Sequence, residues 1–183
     1  MSNTLAKVTD ASIQLVATNC KHLKSLDVSC TEGITDASLK LVASNCKQLQ
    51  SLNLSSTAGR ITDETITVVA SQCLELRSLG VSRVEGVTDA SMKLVATNCR
   101  KLQSLDVSHA NRITDESIKL LAANCMELES LDVGGNYGRI TDESMKLIAA
   151  KCRKLRELKV GGSGGQISHA ATSLAAPGCS VTL

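Results

Sequence analysis

The chain has 183 residues, with 20 Lys and Arg against 18 Asp and Glu for a net charge of +2, and is 43% hydrophobic but only 1% aromatic. That length suits one domain, the balanced charge offers no bulk attraction for nucleic acid, and a single Pro excludes a collagenous or Pro-rich chain. No apolar run approaches the ~20 residues of a membrane-spanning helix, which leaves a soluble domain whose core is built from aliphatic residues and cysteine.

Met1 to Asp10 lacks the basic-then-apolar order of a signal peptide, so residues 1–7 read as a short lead. From residue 8 a repeat governs the chain. Val8-Thr-Asp, Ile34-Thr-Asp, Ile61-Thr-Asp, Val87-Thr-Asp, Ile113-Thr-Asp and Ile140-Thr-Asp recur, and a decayed seventh copy starts at Ile167-Ser-His. The intervals are 26, 27, 26, 26, 27 and 27 residues. Six units therefore fill residues 8–166, and residues 167–183 form a degenerate seventh unit or cap.

Each unit predicts a helix followed by a short strand. Thr-Asp is a helix-start signal, because a short oxygen side chain can accept from unpaired N–H groups of the first turn. In the first unit Ile13, Val16, Ala17 and Cys20 fall at i, i+3, i+4 and i+7, one helical face. Leu23-x-x-Leu26-x-Val28 then supplies the alternation of a strand. Glu32-Gly33 and Ala58-Gly59 read as turns returning the chain to the next helix. In the last unit Ala170 to Ala176 keeps the helix pattern until Pro177-Gly178 breaks it.

One such unit cannot bury its own apolar face, so the units must stack. Strands stack ~4.8 Å apart, whereas packed helices need about 8–10 Å. The mismatch bends the stack into an arc, sheet inside and helices outside.

These residues resemble the cysteine-containing class of leucine-rich repeats, with its L-x-x-L-x-L strand, I-T-D helix start and C-x-x-L helix end. They are similar to the repeat region of F-box/leucine-rich-repeat proteins, the substrate receptors of cullin-type ubiquitin ligases. The resemblance implies an α/β leucine-rich-repeat solenoid, a curved horseshoe with a parallel sheet on the concave side and helices on the convex side. It also implies partner binding on the concave face. Two departures stand out. The column that carries Asn or Cys in the family holds Thr31, Thr57, Val84, Ala110, Asn136 and Ser163, and no Pro follows the helix cysteines. The seven residues ahead of Val8 are too few for an F-box.

Seven of the eight cysteines (Cys20, Cys46, Cys73, Cys99, Cys125, Cys152 and Cys179) occupy one repeat position. At helix–helix spacing their Cα atoms exceed the ~7 Å limit for a disulfide. No C-x-x-C pair exists, so no metal or cofactor is expected. They read as small buried hydrophobes, and unpaired thiols point to a reducing compartment, cytosol or nucleus. Cys30, just past a strand, is expected to be the one accessible thiol. Cys30 and His109 share a column three units apart, about 14 Å by strand spacing, too far for a nucleophile and its base. The chain reads as non-enzymatic.

Three surfaces present themselves. Strand residues alternating with the buried aliphatics face the inner arc, where Asp27, Asn53, Arg83, Asp106, His109, Asp132, Tyr137 and Lys159 are the candidate contacts for a protein partner. Asp27, Asp106 and Asp132 make this face mildly acidic, suited to a basic peptide, yet it lacks the Trp and Tyr of protein hot spots. A bare solvated sheet face is the alternative. On the outer side Leu15, Leu41, Val68, Leu94, Leu120 and Leu147 (with Leu174 after them) recur about 150° from the core-facing direction. They are either an exposed stripe for association or half buried between tilted helices. Lys151, Arg153, Lys154, Arg156 and Lys159 cluster near the far end, echoed at Lys21, Lys24, Lys47, Arg100 and Lys101. This suits an acidic partner or phosphate, or simple solubility. No aromatics interleave, so single-stranded nucleic acid is not expected. The primary reading is a protein-interaction module using the concave face. The alternatives are a self-assembling repeat protein, natural or designed, joined through the convex stripe or open ends, and the substrate-recognition fragment of a ubiquitin-ligase receptor.

Overall fold

The computed structural model describes residues 8–57, 60–174 and 178–183. The seven-residue lead, the turn expected at Ala58–Gly59, and residues 175–177, where the last helix pattern was expected to end, lie outside them. Helices and strands alternate through the chain: α1 (Asp10–Asn19), β1 (Ser25–Asp27), α2 (Asp36–Asn45), β2 (Ser51–Asn53), α3 (Asp63–Gln72), β3 (Ser78–Gly80), α4 (Asp89–Asn98), β4 (Ser104–Asp106), α5 (Asp115–Asn124), β5 (Ser130–Asp132), α6 (Asp142–Lys151), β6 (Glu157–Lys159), α7 (His169–Thr172) and β7 (Ser180–Thr182). Every strand pairs in parallel with the strands of the adjoining units, giving one seven-stranded sheet in sequence order. Registers are one-to-one, so Leu26, Leu52, Leu79, Leu105, Leu131 and Leu158 form a continuous row.

The threonine of each I-T-D is the N-cap, with extended backbone, for example φ −131 and ψ 178 at Thr88. Its hydroxyl accepts from the amide two residues on in five helices, at 3.1–3.3 Å. Each of the six long helices ends after ten residues at its cysteine, whose N–H still donates to the carbonyl four residues back, as at Cys99→Val95 (2.8 Å). In α2 to α6 the face Leu39, Val42, Ala43 and its counterparts is fully buried. It packs on the strand leucines and on the aliphatics behind them, Val28 through Val160.

The first unit differs because nothing described precedes it. Ile13 and Ala17 are buried, but Val16, Leu23 and Leu26 are half-buried and Cys20 is exposed. The thiol expectation is corrected accordingly: Cys30 is exposed, but so is Cys20, and Cys179 is half-buried. Cys46, Cys73, Cys99, Cys125 and Cys152 are buried. Their sulfurs approach the carbonyl of the preceding cysteine, at 3.3 Å for Cys46 and 3.8–3.9 Å for Cys73, Cys125 and Cys152. Burial pushes the Cys73 and Cys152 thiols up to about 11 and those of Cys99 and Cys125 up to about 12.

After each strand the chain turns through a left-handed residue. Gly135 (φ 66) and Gly162 (φ 70) meet this without cost, while Cys30, Ser56, Arg83 and His109 adopt φ of 56–58. A side chain there carries roughly 1 kcal/mol of strain relative to glycine.

Candidate protein-interaction site

Two columns carrying aspartate run along the solenoid, and they are used differently. The first begins the helices. Asp10 on α1 accepts from the Thr35 amide (2.9 Å), the Thr35 hydroxyl (2.6 Å) and the Ser38 hydroxyl (2.5 Å) of the following unit. Asp36 holds Thr62 and Thr65 in the same way, and Asp63 holds Thr88 and Ser91. Asp89 holds Thr114 and Ser117, and Asp115 holds Thr141 and Ser144. Asp142 keeps two contacts, to the Ser168 amide and hydroxyl.

Ser38, Thr65, Ser91, Ser117 and Ser144 are fully buried, and these carboxylates are what satisfies them. Burial works to raise the pKa of Asp36, Asp63, Asp89 and Asp115, but the hydroxyl and amide donors outweigh it and hold each below the ordinary carboxylate value. Sequence reasoning assigned these aspartates only to helix starts. The hydroxyl residue recurring three places after each threonine was the available signal for a unit-to-unit clamp.

The second column lies on the concave strands. In register it reads Asp27, Asn53, Gly80, Asp106, Asp132, Lys159. These side chains first serve their own turn. An oxygen of Asp27 accepts from the Ser29 amide, of Asn53 from the Ser55 amide, of Asp106 from the Ser108 amide and of Asp132 from the Gly134 amide, at 2.9–3.1 Å. This is the Asx arrangement that fixes a tight turn. Asn53 also donates to Asp27 at 3.1 Å. Gly80 interrupts the column, since a Cβ there would stand 2.6 Å from the Asn53 Oδ1.

Beyond that gap Asp106 and Asp132 are strand-to-strand neighbours. Burial, with Asp106 and Glu157 adding to it, pushes the Asp132 pKa above the ordinary carboxylate value, against its turn amide and Lys159. Lys159 itself is bridged to Glu157 at 3.2 Å, and Glu157 accepts from Ser130 at 2.9 Å.

At the edge where the strands end, the His109 and Tyr137 rings stand 6.5 Å apart, inclined by 57°. His109 lies over Gly135, where a Cβ would come within 2.3 Å of its Nδ1. Tyr137 is 70% exposed, and Arg83, one unit before His109, is also exposed. The structure thus sets Asp106 beside Asp132 on adjacent strands and His109 beside Tyr137 on adjacent turns. Asp27 and Asn53 stand apart on the other side of Gly80, and Lys159 flanks the cluster as part of an ion pair.

The outer stripe is not a continuous exposed row. Leu41, Val68, Leu120 and Leu147 are half-buried and pack against the core. Leu15 (65% exposed), Leu94 (37%) and Leu174 (56%) stand out singly. The row is thus mixed, part packed between neighbouring helices and part open to solvent. Ion pairs cross the same face, Lys40–Glu64 at 2.6 Å with Lys93–Glu116 and Lys119–Glu143 at 2.5 Å. Among the described residues no cluster of three metal-ligating side chains occurs, and no helix is long and apolar enough to cross a membrane.

Residues 19–43 and 98–122 each match the family model for the leucine-rich repeat. Together with the one-to-one register of seven parallel strands, this gives the chain the leucine-rich-repeat fold, an α/β solenoid, and supports a protein-interaction repeat module. No curated protein matches it in sequence. Among solved structures it is similar in fold to a chain of the Rad7 and Elc1 complex of yeast, with 18% identity and a TM-score of 0.62. That alignment covers 94% of this chain and 57% of that one, so the present chain spans little more than half of its relative's length. The tropomodulin C-terminal domain of Caenorhabditis elegans is also similar, with 11% identity, a TM-score of 0.60 and coverage of 80% and 93%.

Proposed function

We propose that this protein is a non-enzymatic binding module whose concave face takes a protein segment carrying a cationic side chain. Asp106 and Asp132 receive the cation, while His109 and Tyr137 form an aromatic wall beside it. The observation that carries this reading is the like-charged pair itself. Two neighbouring carboxylates, one partly desolvated, repel each other, and an incoming Lys or Arg would relieve that repulsion. Aromatic residues are the favoured anchors of protein interfaces, and this cluster holds the chain's one tyrosine. Leucine-rich-repeat modules are typically non-enzymatic. Here Cys30 and His109 sit on turns three strands apart, about 14 Å by strand spacing. The free thiols of all eight cysteines support a reducing compartment, cytosol or nucleus.

The test is panning of a displayed peptide library on the immobilised protein, followed by measurement on purified variants. Enriched peptides should carry Lys or Arg, and Asp106→Asn with Asp132→Asn should weaken them by about tenfold or more. Enrichment without cationic residues, or binding unchanged in the double variant, would overturn the assignment.

A further inference from the structure

The edge of the solenoid where helices pass into strands carries a charge pattern that the concave face does not explain. Its six loops, residues 21–24, 47–50, 74–77, 100–103, 126–129 and 153–156, hold nine of the chain's 20 basic residues and three of its 18 acidic ones. The three acidic residues are already engaged: Glu75 with Lys101 (2.6 Å), Glu127 with Lys154 (2.6 Å) and Glu129 with Arg156 (3.8 Å). The residue directly after each helix cysteine is exposed in all six units: Lys21, Lys47, Leu74, Arg100, Met126 and Arg153. None of its four cations is bridged to a carboxylate among the described residues. Leu74 and Met126 are 53% and 45% exposed, two of the large apolar side chains most open to solvent.

We propose that this edge binds an extended acidic segment of a partner protein, running along the row one repeat at a time. The spacing suits it. The column lies between the sheet, where units are ~4.8 Å apart, and the helices, where they are about 8–10 Å apart. Alternate side chains of an extended chain are about 6.8 Å apart, within that interval. Every second residue of the partner therefore faces one unit. The row dictates its chemistry: carboxylates opposite Lys21, Lys47, Arg100 and Arg153, and apolar side chains opposite Leu74 and Met126. A phosphate backbone has no use for the two apolar positions, and the edge has no aromatic residue on which a base would stack. A lipid surface would favour a broad face over a single row.

The experiment uses the full chain and a synthetic peptide of pattern Glu-x-Glu-x-Leu-x-Glu-x-Leu-x-Glu in both chain directions, with a scrambled peptide of identical composition. A single-stranded oligonucleotide and vesicles containing phosphatidylserine are the competing probes. Fluorescence anisotropy should show one direction of the patterned peptide binding several-fold tighter than the scramble. Lys47→Glu with Arg100→Glu should weaken it about tenfold or more. Leu74→Ser with Met126→Ser should erase the advantage over the scramble, and Asp106→Asn with Asp132→Asn should leave binding unchanged. Equal binding of scrambled and patterned peptides would overturn the proposal, as would tighter binding of the oligonucleotide or vesicles. Loss of binding in the Asp106/Asp132 variant would place the acidic peptide on the wrong face and likewise refute it.

Discussion

Asp89 and Asp106 are the same residue type, 17 positions apart in one repeat, and they do opposite work. Asp89 spends both oxygens on the next unit, holding the Thr114 amide and hydroxyl at 2.9 and 2.6 Å and the buried Ser117 hydroxyl. Asp106 spends one oxygen on its own turn, through the Ser108 amide and hydroxyl. The helix-start column is therefore structural glue between units. The carboxylates of the concave column are braced within their own turns and partly exposed. A repeat protein can thus carry two rows containing aspartate at equal period, one bonded from unit to unit and the other braced within its own turns.

Acid should break that distinction most severely. The helix-start carboxylates have folded-state pKa values below the ordinary aspartate range. Their contribution is complete above the unfolded value of about 3.9 and is lost as pH falls through the folded values. Because the same clamp recurs from unit to unit, thermal stability should fall steeply below about pH 4 while changing little between pH 6 and 8. Calorimetry across that range checks it.

Asp89→Ala should be the most damaging single change in the clamp. It removes charge-assisted bonds and strands the Ser117 hydroxyl, for a loss of about 2–3 kcal/mol. That corresponds to roughly 5–10 °C in Tm for a chain of this size. Asp106→Ala should cost under about 1 kcal/mol by the same measurement, because water replaces what it loses. Comparable losses at the two sites would erase the distinction between the columns.

The cysteines sharpen the contrast along the stack. Cys99→Ala removes a fully buried sulfur and should cost about 1–2 kcal/mol, whereas Cys20→Ala, at an exposed position, should be near neutral. A thiol reagent under native conditions should modify Cys20 and Cys30 rapidly, Cys179 more slowly, and the five buried thiols only on unfolding. The smallest effect belongs to the turn. Arg83→Gly relieves a left-handed backbone and should raise stability by up to about 1 kcal/mol.

Much of this was legible in the sequence. The I-T-D and C-x-x-L periods placed every helix start and the buried row of leucines, because a repeat states its own register six times over. The clamp was harder to read. Asp10 looks like part of a helix cap until Ser38, 28 residues on, is known to sit beneath it. The fate of the outer leucines depends on how neighbouring helices pack, which a single helical projection does not show. Cys20 was grouped with its buried counterparts because the repeat position is identical. Its exposure comes from having no preceding unit among the described residues. On the concave face the sequence placed Asp106, His109, Asp132 and Tyr137 on one surface. Gly80 was visible there between Asn53 and Asp106, but not that His109 folds over Gly135.

The most direct measurement is binding and stability together in one protein, Asp106→Asn with Asp132→Asn, using a cationic peptide selected on the parent. Calorimetry should show Tm within a few degrees of the parent, while peptide affinity falls about tenfold or more. Retained affinity at unchanged Tm would contradict the recognition role of the concave column, and a collapse of Tm would contradict its separation from the clamp.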